Sequence, residues 1–374
     1  MPRFLLALIF LTSSALAQTD QVLIPNATPL EAAATGTNTV LAVYTKWIRD
    51  SPCGCGEIDA VRVNATDGTL LEPAFRIAPS LSLQTQPAVA FDGRRFLVVW
   101  NELADPPFFG PAQPDHLVGA FVDEDGGLTL PFTISAAHIG DRDHPVRPTI
   151  VWDGTRYLVF FSDLAMHAAG AAVSPSGEVG EAFHVSDALA IDSASAGPGS
   201  QVMVVWTDSG TVQLGMIGPE LRVQPPIALA SAASSGRVAW NGQTYLAVWR
   251  NENSVFARSI DPTGSLGDVH ELMKDEYPYS PQLIAVGPLF VAAWGGPVAI
   301  AWIAPSGELA APGPGTSYFP LLTSSNTLGP VLTSVGDRAM LFFYRSFYVN
   351  QFYGYANEYV SFITAPRRRV LRGR

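Results

Sequence analysis

Residues 86–101 read Gln86-PAVAFDGRRFLVVW-Asn101. Two short apolar runs, Pro87 to Phe91 and Phe96 to Trp100, flank Asp92-Gly93. Asp-Gly between such runs is a hairpin signal, because a type I′ turn needs φ > 0 at both central residues. The spacing therefore predicts two antiparallel strands. The second run is apolar at every position, so its strand must be covered on both faces. A helix is excluded, since each run is short and bounded by Gly or Pro.

The pattern repeats. Arg147-PTIVWDGTRYLVFF-Ser162 and Ser235-GRVAWNGQTYLAVW-Arg250 match it almost position for position. Weaker copies are Glu31-AAATGTNTVLAVY-Thr45, Ala194-SAGPGSQVMVVW-Thr207, Pro281-QLIAVGPLFVAAW-Gly295 and Pro330-VLTSVGDRAMLFFY-Arg345. Their closing aromatics are Tyr44, Trp100, Phe161, Trp206, Trp249, Trp294 and Tyr344, spaced by 56, 61, 45, 43, 45 and 50 residues. A second hairpin follows in each unit, as in His116-LVGAFVDEDGGLTLPFTIS and Ser254-VFARSIDPTGSLGDVHEL. Its turns are Asp125-Gly126, Ser176-Gly177, Thr263-Gly264 and Ser306-Gly307. Seven units of four up-and-down strands at this period describe the blades of a β-propeller. The first strand of each unit is rich in small residues (Ala32-Ala33-Ala34, Ala88-Val89-Ala90), which suits the crowded axis.

The last unit lacks an apolar fourth strand, while Gln21-VLIPN precedes unit one without a unit of its own. The expectation is that residues 21–26 complete the last blade and close the ring. The chain thus resembles the seven-bladed β-propeller repeat proteins found among exported bacterial proteins, over nearly all of its mature length. The resemblance implies an all-β fold and says little about chemistry. Propellers host hydrolases, lyases, lectins, inhibitors and plain scaffolds.

Composition agrees with a packed, turn-rich fold. Only 15% of the 374 residues are charged against 48% hydrophobic, and Gly and Pro number 33 and 30. Disordered chains have the opposite bias. The net charge of −11 argues against a nucleic-acid partner, which needs a basic surface. Arg3, the apolar run Phe4–Leu11 and Ala15-Leu16-Ala17 form a signal-peptide pattern. Residues 1–17 are expected to be cleaved, leaving a single propeller domain over 18–366 and a basic tail over 367–374. A secreted or periplasmic monomer is expected, with no transmembrane segment, since no stretch has the apolar length of a spanning helix.

Chemistry is harder to find. The S-x-D-x-G-x-x-W box of sialidase-like propellers is absent at the turns of the second hairpins, as are the G-H and W-D dipeptides of WD40 blades. Asp123-Glu124-Asp125-Gly126 lacks the alternation of a calcium loop. His138 and His144, with Asp141 and Asp143, make a polar loop without zinc-site spacing. No metal and no cofactor is expected.

Residues just after the second strands sit at equivalent positions and ring one face. Glu102, Asp163, Asp208 and Glu252 are the candidate catalytic carboxylates there, and two facing carboxylates would suit glycosidic hydrolysis. Arg250 and Arg345 are candidates to hold an anion. Three insertions fall on the same face, at 48–57, 101–115 and 346–357, in the neighbouring blades one, two and seven. They carry exposed-aromatic candidates Tyr348, Phe352 and Tyr353, with Trp47 beside them, suited to stacking on a sugar or anchoring a protein. Cys53 and Cys55 lie in the first insertion. Export suggests a small disulfide loop; free thiols and a soft-metal site are the alternatives. These features favour a non-enzymatic binding or scaffold protein for a protein or glycan, with a carbohydrate-active hydrolase or lyase as the alternative.

Overall fold

The structure is a computed structural model that describes residues 21–25, 30–47, 56–78, 82–103, 116–136, 146–274, 280–294, 298–310, 327–350 and 353–364. The signal-peptide pattern, Cys53, Cys55, the loop carrying His138 and His144, Phe352 and the basic tail lie outside these residues.

The chain opens with β1 (Gln21–Pro25). Blade one follows as β2 (Ala32–Thr35), β3 (Thr39–Trp47), β4 (Gly56–Asn64) and β5 (Phe75–Arg76). Blade two is β6 (Leu83–Phe91), β7 (Arg95–Leu103), β8 (His116–Asp123) and β9 (Phe132–Ser135). Blade three is β10 (Thr149–Trp152), β11 (Tyr157–Ser162), β12 (Ala168–Val173) and β13 (Phe183–Ser186). Blade four is β14 (Ser193–Ala196), β15 (Val202–Asp208), β16 (Thr211–Ile217) and β17 (Ile227–Ser231). Blade five is β18 (Ser234–Trp240), β19 (Tyr245–Arg250), β20 (Ser254–Ile260) and β21 (Leu266–Lys274). Blade six shows three strands among the described residues, β22 (Gln282–Val286), β23 (Leu289–Trp294) and β24 (Ala299–Ile303), extended by a bridge from Ile303 to Leu309. Blade seven is β25 (Thr327–Val335), β26 (Arg338–Asn350) and β27 (Tyr353–Thr364).

Each blade is an antiparallel sheet in sequence order, and the protein is a seven-bladed β-propeller. The ring closes as expected: β1 pairs with β27, Gln21 opposite Val360 and Pro25 opposite Asn357. The first strand of every blade touches the first strands of both neighbours, β25 with β2 included.

The all-apolar second strands now have a cause. Alternate residues of a strand face opposite sides. On β11, Leu158 and Phe160 pack with Val202, Val204 and Trp206 of blade four. Tyr157, Val159 and Phe161 pack with Leu97, Val99 and Phe121 of blade two. Seven such cores occur among the described residues, each shared by two adjacent blades.

Two local expectations need correction. The Asp-Gly and Asn-Gly turns are not type I′. Gly93, Gly154 and Gly242 have φ of +95°, +97° and +95°, but Asp92, Asp153 and Asn241 stay at negative φ. Their side chains cap the turn instead. The Asp153 Oδ1 accepts the Thr155 and Arg156 N–H groups at 2.8 and 2.9 Å, and Asn241 Oδ1 does the same for Gln243 and Thr244. The turn stays two residues long but is shifted by one: the Asp92, Asp153 and Asn241 N–H groups donate to the Arg95, Arg156 and Thr244 carbonyls, so Gly is the first central residue and the Asp or Asn caps it from the flank.

The second correction concerns the insertions. Residues 346–357 are not a loop. β26 and β27 run on through them as a ladder, with Phe347 opposite Tyr355 and Asn350 opposite Tyr353. The segment is dense in Tyr, Phe and Val, which favour strands. Between the paired residues Asn350 and Tyr353 the sequence reads Gln351-Phe352, with neither Gly nor Asn to mark a hairpin.

Candidate functional site

The face that carries the ends of the second strands has a lopsided wall. In blades three to six the second strands span six or seven residues; in blades one, two and seven β3, β7 and β26 span 9, 9 and 13. At about 3.3 Å per residue, β26 rises roughly 20 Å further than its shortest counterparts. The blade seven hairpin outgrows its sheet. β25 pairs with β26 only as far as Arg345, and β1 meets β27 only over Asn357–Val360. Among the described strands, both edges of the ladder above these points are open.

Trp47 ends β3 on the same face with 53% of its surface exposed. Below it lies a charged quartet outside the predicted site residues. Glu57 and Asp59 are buried on β4 and share one face of that strand. Arg76 of β5 pairs with Glu57 and approaches Asp59 at 3.9 Å, while Lys46 Nζ pairs with Asp59 at 3.2 Å. Burial, with the Asp59 charge adding to it, pushes the nearby Tyr44 hydroxyl up to about 12. Each carboxylate therefore has a cation, as buried charge requires. The alternation Glu57-Ile58-Asp59 at the rim of a strand was the available signal, and it was obscured by assigning Glu57 to an insertion.

The predicted carboxylates stand apart in role. Asp163 closes its own turn: its Oδ1 accepts the Ala165 and His167 N–H groups at 2.8 and 2.9 Å. Asp208 ends β15 at the Ser209-Gly210 turn and accepts the Ser209 hydroxyl at 3.0 Å. That turn has φ of +48° and +76° at its two central residues, so the type I′ geometry occurs here rather than at the Asp-Gly sites. Glu252 is exposed between Asn251 and Asn253. Glu102 is half-buried on β7, opposite His116 of β8. Arg250 ends β19 opposite Val255 and is half-buried, and Arg345 lies on β26 opposite Asn357. Tyr348 and Tyr353 lie on the blade seven ladder, opposite Gly354 and Asn350.

Polar convergence is found instead where the inner strands begin. Arg147 reaches across three blades. Its guanidinium pairs with Glu31 Oε2 at 2.7 Å and donates to the Glu31 carbonyl at 2.9 Å and to Gln86 Oε1 at 3.1 Å. Glu31 Oε1 also accepts the Thr45 N–H at 2.9 Å. Gln86 has φ of +58° within a bulge that interrupts the ladder between Thr85 and Ala88. Bulges re-aim side chains in this way. Further round, burial holds the Arg237 guanidinium below its ordinary range, Asp192 opposing this and Arg147 adding to it. Asp192 also accepts the Thr207 hydroxyl at 2.6 Å. Arg147 is thus paired with Glu31, and Arg237 lies within electrostatic reach of Asp192. The Arg147 contacts stitch blades one, two and three together rather than presenting a free acid or base.

No protein-family model matches the chain, and no curated protein matches its sequence. Solved structures do match in shape. The WD40 domain of Toxoplasma gondii coronin is 11% identical with a TM-score of 0.59, covering 94% of this chain and 85% of that one. YCF48 bound to a D1 peptide is 12% identical with a TM-score of 0.56, covering 93% and 95%. A streptogramin B lyase is 10% identical with a TM-score of 0.52, covering 92% and 96%. At such identities the likeness is one of fold.

Proposed function

We propose that this chain is an exported, non-enzymatic binding protein that takes a protein partner on the face walled by blades seven, one and two. The observation that carries the reading is the blade seven hairpin, whose ladder outruns the described strands on either side of it. An open strand edge offers unpaired N–H and C=O groups to a segment of another chain. Tyr348, Phe352, Tyr353 and the exposed Trp47 supply aromatic anchors of the kind that dominate interfaces. The same overall fold is seen with a peptide bound in YCF48. The residues 1–17 pattern supports export.

The test replaces residues 347–356 by Asn-Gly and compares both proteins, each immobilised, against secreted proteins and a glycan array. The expected result is a discrete protein partner retained by the parent chain and lost by the shortened one, with Trp47→Ala weakening retention. Equal capture by both chains would overturn the site. Turnover of a polysaccharide that disappears in Glu102→Gln or Asp163→Asn would overturn the non-enzymatic reading.

A further inference from the structure

The third and fourth strands of blades two to five share one irregularity. The ladder slips between Leu117 and Val118, between Ala168 and Ala169, between Val212 and Gln213, and between Val255 and Phe256. The extra residue on the fourth strand is Ile134, Val185, Leu229 or Leu272, and each is buried. A bulge of this kind turns its neighbours toward the start of the third strand. Blade five shows the consequence: the Ser254 hydroxyl, just before the slip, donates to Glu271 Oε1 at 2.8 Å. The equivalent pairs are His116 and Thr133 in blade two, Thr211 and Ala228 in blade four, and His167 and His184 in blade three. Of these four blades, only blade three puts an imidazole at both positions, and Asp187 follows just beyond the end of β13.

We infer that His167, His184 and Asp187 form a binding site for a borderline divalent transition-metal ion, of which Zn²⁺ is the working case. One ligand atom from each residue lies within 4.8 Å of the others. His184 Nε2 and Asp187 Oδ1 are 3.4 Å apart. Bonds of about 2.0–2.1 Å to a tetrahedral zinc put neighbouring ligands about 3.3 Å apart. The two rings stand nearly perpendicular, at 81°, with centroids 5.9 Å apart, and rotation of two solvent-facing side chains closes the remaining span. The backbone is held in place. The Asp163 carboxylate pins the His167 N–H, and the paired strands β12 and β13 hold His184. Imidazole selects a transition metal over calcium or magnesium, which prefer all-oxygen shells. Three protein ligands leave the fourth position for water or an external donor. His184 also lines an open groove of about 370 Å³ together with Asp163, Leu164 and Phe183, so such a donor has room.

Zinc titration of the full chain by calorimetry tests this, with Co²⁺ substitution reporting coordination through its visible bands. The expected result is one equivalent bound, lost in His167→Ala and in His184→Ala, weakened in Asp187→Asn and unchanged in His270→Ala. Metal-free melting temperatures of the His184 and Asp187 variants should equal that of the parent, since these two side chains are exposed, and that of the half-buried His167 variant should lie close to it. Uptake that survives both histidine substitutions overturns the assignment. So does uptake abolished by Cys53→Ser/Cys55→Ser or by His138→Ala/His144→Ala instead.

Discussion

Tyr157 and Tyr245 occupy the same position of the repeat, at the head of a second strand, and both are fully buried. Their hydroxyls differ. That of Tyr157 donates to the Arg95 carbonyl of blade two at 2.9 Å. That of Tyr245 has no hydrogen-bond partner among the described residues and abuts Gly197, where a Cβ would sit 1.7 Å from it. An intramolecular hydrogen bond contributes about 1 kcal/mol, and an unpaired buried hydroxyl contributes nothing to offset its desolvation. Tyr157→Phe should therefore cost about 1 kcal/mol in urea unfolding, while Tyr245→Phe should be neutral or stabilising. Burial also pushes the Tyr245 hydroxyl up to about 12, as it does for Tyr44. Both are raised above the unfolded value of 10.0, so the folded chain keeps protons that the unfolded chain releases. Their contribution is complete below pH 10 and is lost as pH climbs toward 12. Urea midpoints should fall across that window, and fall less steeply in a Tyr44→Phe/Tyr245→Phe chain. A slope unchanged by the double substitution would assign the alkaline loss to other groups.

At the scale of the element, β1 is the outer strand of a blade whose other three strands come from the far end of the chain. Removing it strips the ladder from β27 and opens the ring. The basic tail, residues 367–374, lies outside the described residues. Deletion of residues 18–27 should lower the melting temperature far more than deletion of 367–374, and equal losses would show that closure does not depend on β1. Arginines at the start of second strands add contacts between blades on the opposite face. Arg95 reaches the Pro175 carbonyl, Arg156 that of Pro219, and Arg338 that of Thr66 at 2.8 Å, each in the following blade. Arg95 and Arg338 also lie over the rings of Phe121 and Phe362, at 3.7 and 4.0 Å from the centroids. Nothing in the repeat motif announced these contacts, because each partner is a backbone carbonyl more than 60 residues away or across the ring closure.

For the whole molecule, sharing every core between two blades has a thermodynamic consequence. A blade cannot unfold without exposing half of two cores, so partial unfolding is penalised everywhere around the ring. Open solenoids lack this constraint at their ends. Calorimetry should show one transition with matching calorimetric and van 't Hoff enthalpies, and two resolved steps would mean that groups of blades melt independently. The number of blades, the four-strand unit and the closing role of β1 were all legible in the chain, since they rest on periodicity and turn chemistry, which are local. The capped turns at Asp92 and Asp153 were half legible: the residues were right and the geometry was not, because side-chain capping and φ > 0 select the same residue types. The Arg147–Glu31 pair, the Glu57–Asp59 quartet and the His167–His184–Asp187 cluster were not legible. Each depends on register, on a one-residue bulge or on which blades become neighbours. Hydrophobic alternation determines that strands stack and how many; only the closed ring decides which polar side chains meet, because those distances are set by packing across blades and not by spacing along the chain.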